Sequence, residues 1–264
     1  MTGRILLFIP AYNCGRQLPR VLAQLTPEVQ RMFDEVLVVD NRSGDDTLAA
    51  AESALRDLHD VRSTLLRNDE NVGLGGSHKV AIGHALDGGF DYCVVLHGDD
   101  QASIADVVPL LLSGSHLEQD ALLGSRFMTG ARLDGYSAIR TVGNRVFNVL
   151  FSAVARRRLL DLGSGLNVFR VAAFADGSHL RLADDLTFNY DLILLAARRG
   201  WSMRFFPISW REEDQRSNVK MLAQSRRMVA LLARFARDPE KAVAADHSVP
   251  GRRYTSTIVY DSAR

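Results

Sequence analysis

The sequence predicts an α/β domain: a mostly parallel sheet buried by helices on both faces. Three observations predict it. Short apolar runs of strand length recur along the first half, helical patterns separate them, and each run stops at polar or turn residues.

The strands are RILLFIP (4 to 10), EVLVVDN (35 to 41), RSTLLRN (62 to 68), YCVVLHG (92 to 98) and ALLGSRF (121 to 127). Each is a seven-residue segment with a short apolar run of strand length that ends in polar or turn residues. Helical spacing of apolar residues falls near 16 to 31, 45 to 58, 74 to 87 and 103 to 113. Strand and helix therefore alternate, which implies βαβ units and strands covered on both sides. After residue 130 the pattern changes to a long helix near 138 to 157, a Gly/Ser turn at DLGSGLNVFR (161 to 170), a helix near 185 to 199, a strand at SMRFFPI and a final helix from about 218 to 237. No linker, repeat or low-complexity tract interrupts the chain, so residues 1 to 243 read as one domain in two halves (1 to 130 and 131 to 243), with 244 to 264 as a loose tail.

A chain of 264 residues, 47% hydrophobic and 24% charged, can bury a full core. The net charge of +1, from 32 basic and 31 acidic residues, gives no electrostatic footprint for nucleic acid. Two cysteines, Cys14 and Cys93, provide neither a disulfide framework nor metal-ligand spacing. No run of about 18 apolar residues and no basic leader is present, so a cytoplasmic location is expected.

In open sheets of this type ligands bind beyond the carboxyl ends of the strands. Tyr12 and Asn13 follow the first strand, Asp40 and Asn41 the second, Asn68 to Gly76 the third, and the HGDDQ cluster (His97, Gly98, Asp99, Asp100, Gln101) the fourth. Asp40 suits the imide edge of a nucleobase and Tyr12 could border its ring. Asp99, Asp100 and Gln101 are oxygen ligands suited to a hard divalent cation, Mg²⁺ or Mn²⁺, and Mn²⁺ would also accept the imidazole of His97. Each of these residues, alone, is as well explained by a turn or a helix cap. Four such loops on one edge favour a site.

The segments FIPAYN, EVLVVDNRSGDDT, RNDENVGLGGSHKVAIGHAL, YCVVLHGDDQ and GSRF, in this order, resemble the nucleotide-sugar half of family 2 glycosyltransferases of the GT-A fold. DLGSGLNVFR and FFPISWREEDQRSNVK are similar to the acceptor half of the polyprenyl-phosphate hexosyltransferase branch, typified by dolichyl-phosphate mannose synthase. The resemblance spans roughly residues 4 to 235. It implies that Pro10, Ala11, Tyr12 and Asp40 hold the base and ribose of a nucleotide-diphosphate sugar. Asn71 to Gly76, including Gly73, with Lys79, would form the loop and helix start beneath them. Gly98, Asp99, Asp100 and Gln101 would line the diphosphate, with Asp99, His97 and Gln101 on the cation. The family usually carries Asp, any residue, Asp at the fourth strand, so His97 replaces a carboxylate. That removes one negative charge and shifts preference from Mg²⁺ toward Mn²⁺, unless His97 only hydrogen-bonds the ribose or a loop.

On the acceptor side the resemblance implies phosphate-binding roles for Arg126, Arg140 and Arg211 or Arg216, and a close-approach turn at Ser164 and Gly165. Arginine suits phosphate through its bidentate fork, although each of these could equally serve a surface ion pair. A hydroxyl acceptor needs a carboxylate base, for which Asp161 and Asp191 are the candidates. A polyprenyl phosphate, already anionic, needs none. Along 219 to 237, Met221, Leu222, Met228, Val229, Leu232 and Phe235 fall on one helical face and Lys220, Arg226, Arg227, Arg234 and Arg237 on the other. That face would pack on the domain, on a second subunit of a homodimer, or on the inner membrane surface as a peripheral contact. The expected function is an inverting, metal-dependent sugar transfer, with a non-catalytic nucleotide-sugar binder as the alternative. GLGGSH follows the third strand without the downstream acid a dinucleotide-binding oxidoreductase requires. IPAYNCGRQ lacks the glycine-rich phosphate loop expected of a pyrophosphorylase.

Overall fold

The computed structural model describes residues 3–212 and 221–263. Its first half follows the predicted alternation. The elements are β1 (Ile5–Ala11), α1 (Leu18–Ala23), α2 (Pro27–Gln30), β2 (Glu35–Asp40), α3 (Thr47–Arg56), β3 (Arg62–Asn68), α4 (Gly73–Asp87), β4 (Tyr92–Leu96), α5 (Val108–Leu112) and β5 (Ala121–Ser125). The second half comprises β6 (Arg132–Asp134), α6 (Ala138–Ala155), β7 (Leu166–Arg170), α7 (Phe188–Arg198), β8 (Met203–Pro207), β9 (Ser209–Arg211), α8 (Met221–Arg237), α9 (Pro239–Ala244) and β10 (Ser256–Asp261).

Eight strands form one sheet in the order β10-β3-β2-β1-β4-β7-β5-β8, and β6 pairs with β9 in a small ribbon. The inner strands β3, β2, β1 and β4 run parallel. Two cores result from the alternation of side chains along each strand. Leu6 and Phe8 join Val80, Ala81, Phe151, Phe188, Leu232 and Phe235 from α4, α6, α7 and α8 on one face. Ile5, Leu7 and Ile9 join Leu18, Val21, Ala51, Leu55 and Leu111 from α1, α3 and α5 on the other.

Three expectations are corrected. The helix foreseen over 16 to 31 is two short helices, because Thr26 is extended (ψ 162°) ahead of Pro27, which opens α2. The segment expected as a Gly/Ser turn contains a strand: β7 lies antiparallel between β4 and β5. The loose tail is not loose, since β10 pairs antiparallel with β3 at the sheet edge and Tyr254 reaches into the domain. Of the partners expected for the apolar face of α8, the domain is the one found: Met228, Leu232 and Phe235, with Leu231, are buried in the core, while Val229, assigned to that face, is exposed. The part of that helix expected before residue 221, with Lys220, and Arg216 lie outside the described residues, as do the side chains of Met221 and Leu222.

Candidate active site

The parallel register brings the ends of three strands into line: Ala11 is opposite Asp40, and Asp40 is opposite Arg67. Pro10 and Ala11 are buried, whereas Tyr12, just past the strand, is 46% exposed at the rim. Asp40 is fully buried, accepts hydrogen bonds from the Ser43 N–H at 3.2 and 3.3 Å, and faces the Arg67 Nε at 3.5 Å. Two oxygens with four lone pairs leave the carboxylate capacity for a further donor.

A net of asparagines fixes the loop after β3. Asn68 Nδ2 donates to Asn41 Oδ1 at 3.0 Å and to Ser77 Oγ at 3.1 Å, and the Val72 N–H donates to the same Asn41 oxygen at 2.9 Å. Asn71 Oδ1 accepts from Asn41 Nδ2 at 2.9 Å and from the Gly73 N–H at 3.0 Å. Gly73 has φ +75°, and a Cβ there would lie 2.4 Å from the Asp184 carbonyl oxygen, so only glycine allows the loop to seat on that segment. Lys79, assigned beneath the nucleotide, is instead an internal anchor. Its Nζ donates to the Leu182 carbonyl at 2.6 Å, to Asp184 Oδ1 at 2.6 Å and to the Tyr254 hydroxyl at 2.8 Å. A lysine on the second turn of α4 is buried too deep, and satisfied too fully, to reach a ligand at the rim.

At the end of β4 the side chains part company. The His97 N–H donates to the Gly165 carbonyl at 2.9 Å, and the Gly98 N–H to the Pro10 carbonyl at 3.1 Å, tying the cluster to both the β7 turn and β1. A Cβ on Gly165 would lie 2.9 Å from His97 Cγ, so the turn presses its bare backbone on the imidazole. His97 stands 6.2 Å, ring to ring, from His78, and its Nε2 is buried without a partner among the described residues. Burial, with the Arg126 charge adding to it, pulls the His97 imidazole down to about 4, so the ring is neutral. Burial likewise pushes the Asp99 carboxyl up to about 6, against the lowering effect of the Gln101 N–H, which donates to it at 3.3 Å. Asp99 and His97 keep partial solvent contact over a densely packed surround.

Asp100 turns the other way, with φ +61°. It is 2% exposed and accepts from Arg20 Nε at 2.7 Å, from Gln24 Nε2 at 3.3 Å and from Arg211. Arg211 Nε also donates to the Asp100 carbonyl at 3.0 Å. Asp100 is thereby corrected from a diphosphate ligand to the anchor of the turn, and Arg211 from a phosphate ligand to its partner. Gln101 accepts the Arg211 N–H at its carbonyl at 2.9 Å.

The acceptor half rearranges more of the expected set. Arg126, 8% exposed, donates from N, Nε and one terminal nitrogen to Asp161 at 2.9, 2.8 and 2.8 Å, and stacks 4.8 Å from the Trp210 ring. This bidentate pair removes Arg126 from direct phosphate contact and Asp161 from the role of a base. Its positive end still acts on the site, since the Arg126 charge is felt at both His97 and Asp99. Asp191 is also turned inward: it accepts from the Ala183 N–H at 3.0 Å and meets His247 Nδ1 at 3.0 Å. Two residues earlier, Asn189 lines a small hollow with Asp161, Gly163 and Ser164. Ser164 donates to Asn167 Oδ1 at 3.1 Å within the buried turn. Arg140, a third exposed, pairs with Glu212 at 2.6 Å and lies 4.7 Å from the Tyr136 ring.

Sequence reasoning missed three contributors: Arg67 against Asp40, His78 behind His97, and Arg20 against Asp100. The signal for Arg67 was available, because adjacent parallel strands of equal end-point place Asp40 and Arg67 side by side. A hollow of 530 Å³ at the other end of the strands, where β1 and β4 begin, lined by Gly3, Phe90, Tyr92 and Arg170 among others, brings no comparable set of polar groups together.

Comparison with known proteins agrees with this geometry. The glycosyl transferase family 2 model matches residues 7–177. The UDP-N-acetylglucosamine–dolichyl-phosphate N-acetylglucosaminyltransferase of Methanococcus voltae is 21% identical over 179 residues, covering 64% of this chain and 70% of that protein. The crystal structure of Mycobacterium tuberculosis glucosyl-3-phosphoglycerate synthase with Mn²⁺, UDP-glucose and phosphoglyceric acid superposes with a TM-score of 0.64 at 16% identity, over 98% of this chain and 89% of that one. S. aureus TarS with UDP-GlcNAc gives 0.56 at 16% identity, over 87% and 65%. At such identities the structures establish the fold, which is the GT-A type expected. The family match begins inside β1 and runs past β7, through every loop of the rim just described, and the chain belongs to glycosyl transferase family 2.

Proposed function

We propose that this glycosyltransferase takes a sugar from a nucleotide-diphosphate donor, with inversion, and passes it to a phosphate-bearing acceptor of the polyprenyl-phosphate type. One observation carries the choice of acceptor: neither carboxylate suited to act as base is open to an acceptor, Asp161 being buried against Arg126 and Asp191 being buried with its Oδ2 held by the Ala183 N–H and His247. A hydroxyl acceptor needs a base within its reach, whereas a phosphate oxygen attacks the anomeric carbon as it is. The dolichyl-phosphate acceptor in the name of the M. voltae relative supports the same reading.

Tyr12 and Asp40 would receive the nucleoside, and the Asn41, Asn68 and Asn71 net would hold the loop beside it. A divalent cation is implied by the family and by neighbours crystallised with Mn²⁺ or Mg²⁺. The residues present fit such an ion in part. Among the described residues no group of three or more His, Cys, Asp or Glu is arranged to hold a metal. His97, however, offers a neutral ring with an unpartnered buried Nε2, and Asp99 a carboxylate that a cation would keep ionised. His97 and Asp99, with the Gln101 amide, would hold the ion, and the donor diphosphate would complete its shell. Bound there, the cation supplies charge neutralisation of the leaving diphosphate. A mixed nitrogen and oxygen set favours Mn²⁺ over Mg²⁺.

Thermal-shift titration with UDP, GDP and dTDP sugars in Mn²⁺ tests donor binding, and product analysis with a short polyprenyl phosphate tests transfer. Transfer to the lipid phosphate with inverted anomeric configuration is expected. Transfer to hydroxyl acceptors alone would overturn the acceptor assignment, and donor binding without turnover over an acceptor panel would favour a sensor.

A further inference from the structure

The helix α6 is built inside out. Its domain-facing side carries Asn144, Asn148 and Ser152 beside Phe147 and Phe151, and their polar groups are satisfied locally: Asn148 Nδ2 donates to the Leu160 carbonyl at 2.6 Å and Ser152 Oγ to the Asn148 carbonyl at 2.6 Å. Its outward side is apolar. Ile139 is 80% exposed, Val142 62%, Val146 52%, Val149 68% and Leu150 44%. At 100° per residue these five fall within an arc of about 100°, a continuous stripe along the helix. Scattered exposed aliphatics need no explanation, but a stripe of five on one helix face does.

Beyond the Arg140–Glu212 pair in its first turn, the charges that α6 and the turn after it carry are of one sign. Between Asp134 and Asp161 the sequence has no acidic residue and five arginines, of which Arg145, Arg156 and Arg158 are exposed. A second copy of this chain docking by the same face would set these arginines against each other across a two-fold axis. An anionic surface would pair with them, while the aliphatic stripe enters the boundary below the headgroups. The helix also leads directly into the Asp161 turn that pairs with Arg126, so a surface lying on α6 lies beside the acceptor half of the site.

We infer that α6, rather than the core-facing α8, docks this enzyme on an anionic phospholipid surface. This inference rests on the proposed lipid-phosphate acceptor for its purpose but not for its evidence. The test is co-flotation of the full chain with vesicles of phosphatidylcholine alone and with 30 mol% (about one lipid in three) phosphatidylglycerol, in low and high salt. Binding is expected only to the anionic vesicles. It should fall by about fivefold or more for Arg145→Glu, from the loss of roughly one basic contact, and below detection for Val146→Asp/Val149→Asp. Both valines are exposed, so the melting temperature of the double variant, and its binding of soluble donor without vesicles, should match the parent. Equal binding by parent and double variant, no binding by the parent, or a parent dimer by analytical ultracentrifugation that the double variant dissociates would overturn the inference. Donor binding and transfer to a short, water-soluble polyprenyl phosphate are measured separately. Failure of that transfer with vesicle binding intact would count against the acceptor and not against the docking helix.

Discussion

Replacing Asp161 by asparagine separates a base from a structural partner. The carboxylate accepts three hydrogen bonds from Arg126, at 2.9, 2.8 and 2.8 Å, and one from the Gly163 N–H at 3.1 Å. The two side chains are 8% and 1% exposed, so solvent screens little of the pairing. An asparagine side chain would keep the shape, lose the charge, and point an amide N–H at the guanidinium. Breaking one side of a buried pair leaves an uncompensated charge and costs about 3–5 kcal/mol. For a domain of this size that is roughly a 6–20 °C fall in melting temperature, by about 2–4 °C per kcal/mol. The assay is differential scanning calorimetry of the purified chain alongside single-turnover transfer with saturating donor. A second variant, Arg126→Met with Asp161→Leu, removes both charges and should recover much of the lost stability. If Asp161→Asn leaves the melting temperature within about 2 °C while abolishing chemistry but not donor binding, Asp161 is a base and the structural assignment is wrong.

Three further outcomes follow from the same geometry. The Asp99 carboxyl sits above its ordinary value, at about 6, so the folded chain binds the extra proton between roughly pH 4 and 6 and stability without metal should decline as pH rises through that window. Apparent Mn²⁺ affinity should weaken about tenfold per pH unit below 6 and level off above about 7, with both effects absent in Asp99→Asn; calorimetric titration at pH 5 and 7.5 checks this. His97→Asp restores a second carboxylate and should move the ratio of Mn²⁺- to Mg²⁺-supported activity toward Mg²⁺, whereas an unchanged ratio would reduce His97 to a structural residue. Lys79→Met should cost about 1–3 kcal/mol by removing one partner of Asp184, which keeps Arg252, the Tyr254 hydroxyl and the Val249 N–H, seen as a lower denaturation midpoint, with donor affinity in the surviving fold unchanged.

The parallel core of the sheet was legible because it is written locally. An apolar run buried on both faces needs only its own composition, and its abrupt end in His97, Asp99, Asp40 or Tyr12 marks the rim on which ligands bind. Elements that depend on neighbours were less legible. LNVFR is a five-residue strand beside a Gly/Ser turn, and it forms because β4 and β5 leave a slot of the right width between them. STIVYD sits at an edge, half exposed, and is a strand because β3 offers it a ladder.

The sequence by itself determined the fold class, the family, and which loops gather at the site. Only the tertiary structure decided what each charged side chain does there. Asp161 meets Arg126 across 35 residues, Lys79 meets Asp184 across 105, and Arg211 meets Asp100 across 111. A carboxylate's chemistry depends on which cation lies within hydrogen-bond reach and how much water surrounds it, and neither is a property of its neighbours in sequence. The outward face of α6 is the same lesson for apolar groups, since periodicity shows that a helix has two sides but not which of them meets the core.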